Sequence, residues 1–256
     1  MNKKLWEASP GQKKKSLLSS YEQFISKKFK KRFNQKYDNI LKWSIENPGN
    51  FWSSIWDFSE IKGFKSKIKI KKSKIFYKNK FLPNSKLNFA ENLLSKNNKN
   101  KAITFVSENG FREERSWYEL NINVSKISKF LKSIKIKKKD RVAAYMPNTI
   151  ETIEAFIASS SLGAIWSSCS PDFGVKGVVE RFSQISPKVL FVVDKYFYNG
   201  KIINILERVP LILKEIPSIE YVVIVNYPGE KYLENKYTSK KSKVLKWSEL
   251  MKQESE

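Results

Sequence analysis

The stretch "RVAAYMPNTIETIEAFIASSSLGAIWS" (Arg141–Ser167) decides the fold class. "RVAAYM" (Arg141–Met146) is a continuous apolar run, as a strand covered on both faces of a parallel sheet requires. "NTIETIEAFIASSSLG" then reads as a helix. Asn148 is its expected N-cap, Glu151 stands three residues on, and Gly163 closes it. Ile150, Ile153, Phe156 and Ile157 are expected on its buried face. "AIWS" (Ala164–Ser167) reads as a second strand.

The same rhythm continues downstream. "VKGVVERFSQI" (Val175–Ile185) reads as a helix and "KVLFVVD" (Lys188–Asp194) as a third strand. "IINILERVPLILKEI" reads as a helix interrupted by Pro210, and "YVVIV" (Tyr221–Val225) as a fourth strand. This alternation predicts an α/β, doubly wound, mostly parallel sheet with right-handed crossovers. Ligands of such sheets sit beyond the carboxyl ends of the strands. Two segments leave those ends, "SCSPDFG" after the second strand and "KYFYNGK" after the third, and both are expected on one edge of the sheet.

Upstream, "KAITFVSENG" reads as a strand closing on an Asn-Gly turn, with "EERSW" as its hairpin partner. "SWYELNINVSKISKFLKSI" reads as a helix capped by Ser116, with Glu119 completing a capping box. The first hundred residues are aromatic-rich and less regular. "YEQFISKKFKKRF" (Tyr21–Phe33), "YDNILKWSIENPGNFW" (Tyr37–Trp52) and "LNFAENLL" (Leu87–Leu94) read as helices. "NPG" stops the second of them, and "FWSSIWDF" then places Phe51, Trp52, Ile55 and Trp56 on one helical face.

A chain of 256 residues with 41% hydrophobic content is long and apolar enough for a sizeable core. A single cysteine rules out an internal disulfide framework and fits a reducing compartment. The absence of histidine removes Ser-His and Cys-His pairs and most zinc sites. Cys169, flanked by hydroxyls in "SSCSPDFG", is therefore expected to be a small, partly buried loop residue, not a nucleophile. "MNKKLWEASPGQKKK" has no apolar core of the kind a secretory leader carries, no run approaches 18 apolar residues, and the expected address is the cytoplasm.

The net charge is +24, from 49 Lys and Arg against 25 Asp and Glu. Lys62–Lys80 carries nine lysines and no acid, whereas Glu151–Asp194 holds three bases against five acids. A nucleic-acid or anionic-membrane binder carries such a lysine run. A genome rich in A/T codons produces the same excess of Lys, Asn and Ile with no partner involved. No recognised nucleic-acid motif accompanies the run. The glycines form neither GxGxxG nor GxxxxGK[ST], so no phosphate cradle is visible, and no metal-ligand cluster is present.

The order of "LWEASP", "YDNILKWSIENPGNFW", "LNFAENLL" and the long run from "DRVAAYM" to "KYFYNGK" resembles the AMP-forming acyl-CoA synthetases, of the adenylate-forming family. Within it "GAIWSSCSPDFG" is closest to the acetoacetate-using branch; acetate-specific relatives carry a glycine pair where Pro171 and Asp172 stand. The resemblance runs from about Leu5 to Lys201 and more weakly to the end. It implies a ligase that joins an acid to CoA through an acyl-adenylate, with ATP, CoA and Mg2+, and with no covalent enzyme intermediate. It also implies that a turn after the third strand grips the nucleotide end of CoA. Here that turn is Tyr198, Asn199, Gly200 and Lys201, with Lys201 as the cation and Gly200 admitting close backbone approach. Tyr198 departs from the basic residue that usually opens the turn. Ser170, Pro171 and Asp172 are weaker candidates for lining the path of the CoA arm.

The phosphate loop, the acyl pocket and the adenylation lysine of the family are not found in this sequence, so no catalytic residue is assigned. The resemblance implies an N-terminal portion of the ligase, inactive without its remainder, with a companion chain as one candidate source of that remainder. Residues 1–100 are expected to be a helical, aromatic-rich extension. Residues 101–256 are expected to be the first part of the AMP-binding synthetase domain, an incomplete adenylate-forming fold. The partners are expected to be acetoacetate, ATP and CoA, with neither nucleic acid nor membrane. The alternative is a non-catalytic CoA-nucleotide binding module; a basic nucleic-acid or membrane-surface binder stands behind it.

Overall fold

The computed structural model describes residues 5–231, 233 and 241–252. The chain divides into two compact units, residues 1–87 and residues 88–256.

The first unit is built on helices α1 (Pro10–Lys14), α2 (Leu17–Phe29), α3 (Tyr37–Glu46) and α4 (Pro48–Phe58). Helix α2 lies four residues upstream of its expected span, because Ser16 caps it and Lys30 ends it in the left-handed conformation. Pro48 ends one helix and opens the next, where its missing N–H costs nothing. The core of this unit is Tyr21, Ile25, Phe33, Ile40 and Trp43. Of the expected stripe on α4, Trp56 is buried, Phe51 and Ile55 pack partly buried against that core, and Trp52 is exposed. The rings of Tyr21 and Phe58 meet edge to face at 5.2 Å. The lysine-rich run forms a small hairpin, β1 (Ile70–Lys71) against β2 (Lys80–Phe81).

The second unit opens with α5 (Phe89–Leu93) and the antiparallel pair β3 (Lys101–Val106) and β4 (Arg112–Ser116). Helix α6 (Trp117–Ser133) follows, with both halves of the Ser116–Glu119 capping box formed. That cap is worth about 1 kcal/mol. Burial of Leu120, Val124, Ile127, Phe130 and Leu131 contributes about 1.5–3 kcal/mol each, so packing dominates the helix's stability.

Next come β5 (Arg141–Tyr145), α7 (Ile150–Ser161), β6 (Ile165–Cys169), α8 (Val175–Phe182) and β7 (Val189–Val193). After them stand the hairpin β8 (Lys195–Tyr198) and β9 (Lys201–Asn204), a 3-10 turn (Leu206–Arg208), α9 (Val209–Glu215), β10 (Tyr221–Val225), β11 (Lys243–Lys246) and α10 (Trp247–Met251). Five strands form one parallel sheet in the order β11-β10-β7-β5-β6. Strand β7 is central, and all five of its side chains are fully buried, so both faces of the sheet are covered. Helix α6 packs on α7 and α10, and α8 packs on α9.

The α/β reading holds, and four of the five strands lie where the sequence places them. The fifth, β11, is a lysine-flanked edge strand with two exposed ends, too short and polar to signal itself. The N-cap of α7 is Thr149, one residue after Asn148. Ile153 is exposed and Glu154 fully buried on that helix, which rotates the expected buried face. Pro210 does not interrupt a helix; it starts α9 in the first turn, and the residues before it form β9 and the 3-10 turn.

Glu154 is enclosed by Arg115 Nε at 3.1 Å and Asn123 Nδ2 at 2.8 Å, while its Oε2 has no partner. Burial raises its carboxyl to about 7 against the opposing pull of Asn123 and Arg115. The folded state therefore holds this proton more tightly than the unfolded chain. The corresponding stability is complete below the ordinary carboxyl range near 4.5 and is lost as pH rises through 7. The shift corresponds to ~3 kcal/mol. Denaturant titrations at pH 5.5 and 8.5 are expected to show lower stability at the higher pH. Glu154→Gln is expected to reduce that difference, and an unchanged slope in the variant contradicts the assignment.

Candidate functional site

The parallel register brings the strand ends level. Tyr145 pairs with Cys169 and Val192, and Val193 pairs with Val225. The segments that follow β6 and β7 therefore emerge level with each other on either side of the end of β5, on the edge expected from the crossover rule.

Asp194 stands immediately beyond β7 and is fully buried. Its carboxylate accepts the N–H of Lys195 and of Tyr227, both at 2.8 Å, and that of Leu233 at 3.1 Å. Its own N–H donates to the Val225 carbonyl at 2.8 Å, and its carbonyl accepts from Ile205 and Leu206. Burial raises its carboxyl above the usual range, with the three N–H groups opposing. One residue, through its carboxylate and its main chain together, thus ties the exits of β7 and β10 to the start of β8 and to the 3-10 turn.

The segment expected as a loop, "KYFYNGK", is the hairpin β8–β9. Tyr198 pairs with Lys201 across the turn. Asn199 and Gly200 both take positive φ, 48° and 73°, the pair of values a two-residue type I′ turn demands. A Cβ on Gly200 would meet nothing within 4 Å, so the requirement there is conformational, and space remains open around it. Lys201 is exposed at this tip.

The other segment, Ser170–Gly174, leaves β6. Cys169 is the last residue of that strand and is 4% exposed, so it is a buried strand residue and not a loop residue. Burial pushes its thiol up, away from the reactive thiolate. Asp172 accepts Ser170 Oγ at 2.6 Å on one oxygen and the Tyr196 phenol at 2.8 Å on the other. Burial and then Asp172 raise the Tyr196 phenol to about 12, so it remains the donor across the ordinary pH range.

Between the two segments lies a cleft of about 310 Å3. Met146, Asn148 and Thr152 form its floor side, Ser170, Pro171 and Asp172 one wall, and Tyr196 and Tyr198 the other. That volume lies at the low end for small-molecule sites, about 300–1,000 Å3, and suits a narrow chain more than a whole dinucleotide. Tyr198 and the three loop candidates thus share the cleft. Asn199, Gly200 and Lys201 sit at the hairpin tip outside its lining. Sequence reasoning missed Tyr145, Asp194, Tyr196 and Arg208. Asp194 carried a faint signal, an acid ending an apolar run; Arg208 carried none, because its segment reads as helix. Among the described residues no three His, Cys, Asp or Glu side chains converge as metal ligands would, and no helix is long and apolar enough to cross a membrane.

The family model for AMP-binding enzymes matches residues 92–254, and the chain belongs to that family. Among its relatives is an acetoacetyl-coenzyme A synthetase of Rhizobium meliloti (strain 1021), 36% identical over 88% of this chain and 34% of its own length. Another is an acetoacetyl-CoA synthetase of Xenopus tropicalis, 37% identical over 87% of this chain and 34% of its own length. This chain spans about a third of the length of the curated relatives it matches. In fold it is similar to the solved acetoacetyl-CoA synthetase from Streptomyces lividans, with a TM-score of 0.88 and 23% identity, over 100% of this chain and 39% of that one.

Proposed function

We propose that this chain is the N-terminal part of an acetoacetate–CoA ligase and that it contributes a CoA-holding cleft. The whole reaction joins acetoacetate to CoA at the expense of ATP through an acyl-adenylate, releasing AMP and diphosphate, with Mg2+ assisting the first step. Residues 1–100 serve as the helical extension and 101–256 as the first part of the synthetase domain, in the cytoplasm. The partners are small molecules, acetoacetate, ATP and CoA, not nucleic acid or a membrane.

The observation that carries this reading is the cleft at the carboxyl edge, walled by both segments that the sequence marks as candidates. CoA supplies the thiol that displaces AMP. This chain's residues hold it: Lys201 gives a cation and the Asn199–Gly200 turn gives open backbone for its phosphates. Tyr198 offers a ring face in place of the usual basic residue, and Ser170, Pro171 and Asp172 flank the arm. Asp172 acts through its wall position, since both its oxygens are already engaged.

Calorimetric titration of the purified chain is expected to show CoA binding that weakens at least several-fold in Lys201→Ala. Equal affinity in the variant removes Lys201 from the site, and no binding to the wild-type chain removes the cleft reading. The purified chain is also expected to give no acetoacetate-dependent release of diphosphate, because it lacks the family's phosphate loop. Release above background contradicts that assignment.

A further inference from the structure

The loop Ser170–Gly174 is held by its main chain from outside. The carbonyl oxygens of Pro171 and Phe173 converge on one point, where the phenol of Tyr145 meets a guanidinium nitrogen of Arg208. The Tyr145 hydroxyl lies 3.0 Å from the Pro171 carbonyl and also bonds that of Phe173. Arg208 Nη1 lies 2.6 Å from the Tyr145 hydroxyl, 2.9 Å from the Pro171 carbonyl and 3.2 Å from the Phe173 carbonyl. Tyr145 is fully buried at the end of β5, and Arg208 is half-buried in the 3-10 turn behind the hairpin.

A short connection of this kind needs no such clamp to form. The Phe173 N–H already reaches the Ser170 carbonyl at 3.2 Å and closes the turn. Among the described residues no carboxylate lies within ion-pair distance of Arg208, so its charge is directed at the two carbonyls and the phenol. Hydrogen bonds from a charged donor are roughly twice as strong as neutral ones. The arrangement therefore fixes where the loop's main chain runs, at the wall of the cleft. Tyr196, from the opposite wall, holds the loop's only side-chain carboxylate. The loop is thus tied twice, to the hairpin wall through Asp172 and to the 3-10 turn behind it through Arg208.

We propose that Arg208 and Tyr145 are positioning residues of the cleft, holding the Ser170–Gly174 wall by the carbonyls of Pro171 and Phe173 so that it fits its ligand. The ligand's identity rests on the CoA reading above; the positioning does not. Cys169, the single cysteine, adjoins the loop and is buried, so its rate of labelling by an aromatic disulfide reagent reports opening of this wall. The variants are Tyr145→Phe and Arg208→Gln in the whole chain. Ile127→Val, in α6, serves as a core control, compared at matched distance below its Tm.

Labelling is expected to accelerate about tenfold or more in both clamp variants and to stay near the wild-type rate in the control. CoA affinity is expected to fall about tenfold in both, with part of it restored in Arg208→Lys. Wild-type labelling rates in Tyr145→Phe and Arg208→Gln overturn the proposal. So does faster labelling with unchanged CoA affinity, since the wall would then move without consequence for the ligand. A wild-type chain that binds no CoA defeats the ligand reading alone, and the labelling rates still decide the positioning.

Discussion

Asp194 is a carboxylate placed where the central strand runs out of sheet. In a low-dielectric position it is costly unless its lone pairs are met, and here three backbone N–H groups meet them. Those donors come from the first residue of β8 and from two positions beyond β10. The Asp194 carbonyl also receives the N–H groups that open the 3-10 turn. Both walls of the cleft trace back to this point. The hairpin with Tyr196 and Tyr198 begins at it, and the turn that delivers Arg208 to the Ser170–Gly174 loop starts from its carbonyl.

Such a hub works only on a rigid base. Strand β7 supplies one, with five fully buried apolar side chains between two parallel neighbours in register. Large aliphatic and aromatic residues close-packed on both faces leave little room for the strand to shift. The chemistry at the edge is polar and hydrogen-bonded, while its support is almost wholly apolar. The acid–base balance is local as well: Glu154 stands on the same helix that contributes Thr152 to the cleft, yet its partners are Arg115 and Asn123, which do not line the cleft.

Much of the fold was legible in the sequence because its signals are strong and local. "KVLFVVD" and "YVVIV" are apolar runs of strand length, and Ser116 with Glu119 marks a helix start by chemistry alone. The crossover rule alone puts the two candidate segments on one edge. What stayed hidden depends on long-range pairing. Tyr145 reads as one more apolar strand residue, but its hydroxyl serves a loop 26 residues on. Arg208 sits 37 residues from the carbonyl it holds. Strand β11 has exposed ends and only its partner β10 makes it a strand. "KYFYNGK" follows an apolar strand and so reads as its exit loop, although Asn-Gly between alternating residues signals a hairpin. Ile153 and Glu154 exchange their expected exposure because Arg115, from another element, gives the carboxylate a partner inside.

The central claim is that the cleft between the Ser170–Gly174 loop and the β8–β9 hairpin takes CoA. Amide chemical-shift mapping of the isotope-labelled chain against increasing CoA tests it most directly. The account predicts shifts concentrated at residues 168–174 and 196–201, saturating with a single affinity. Shifts gathered instead on the lysine-rich residues 62–80, or spread over the surface without saturation, contradict it.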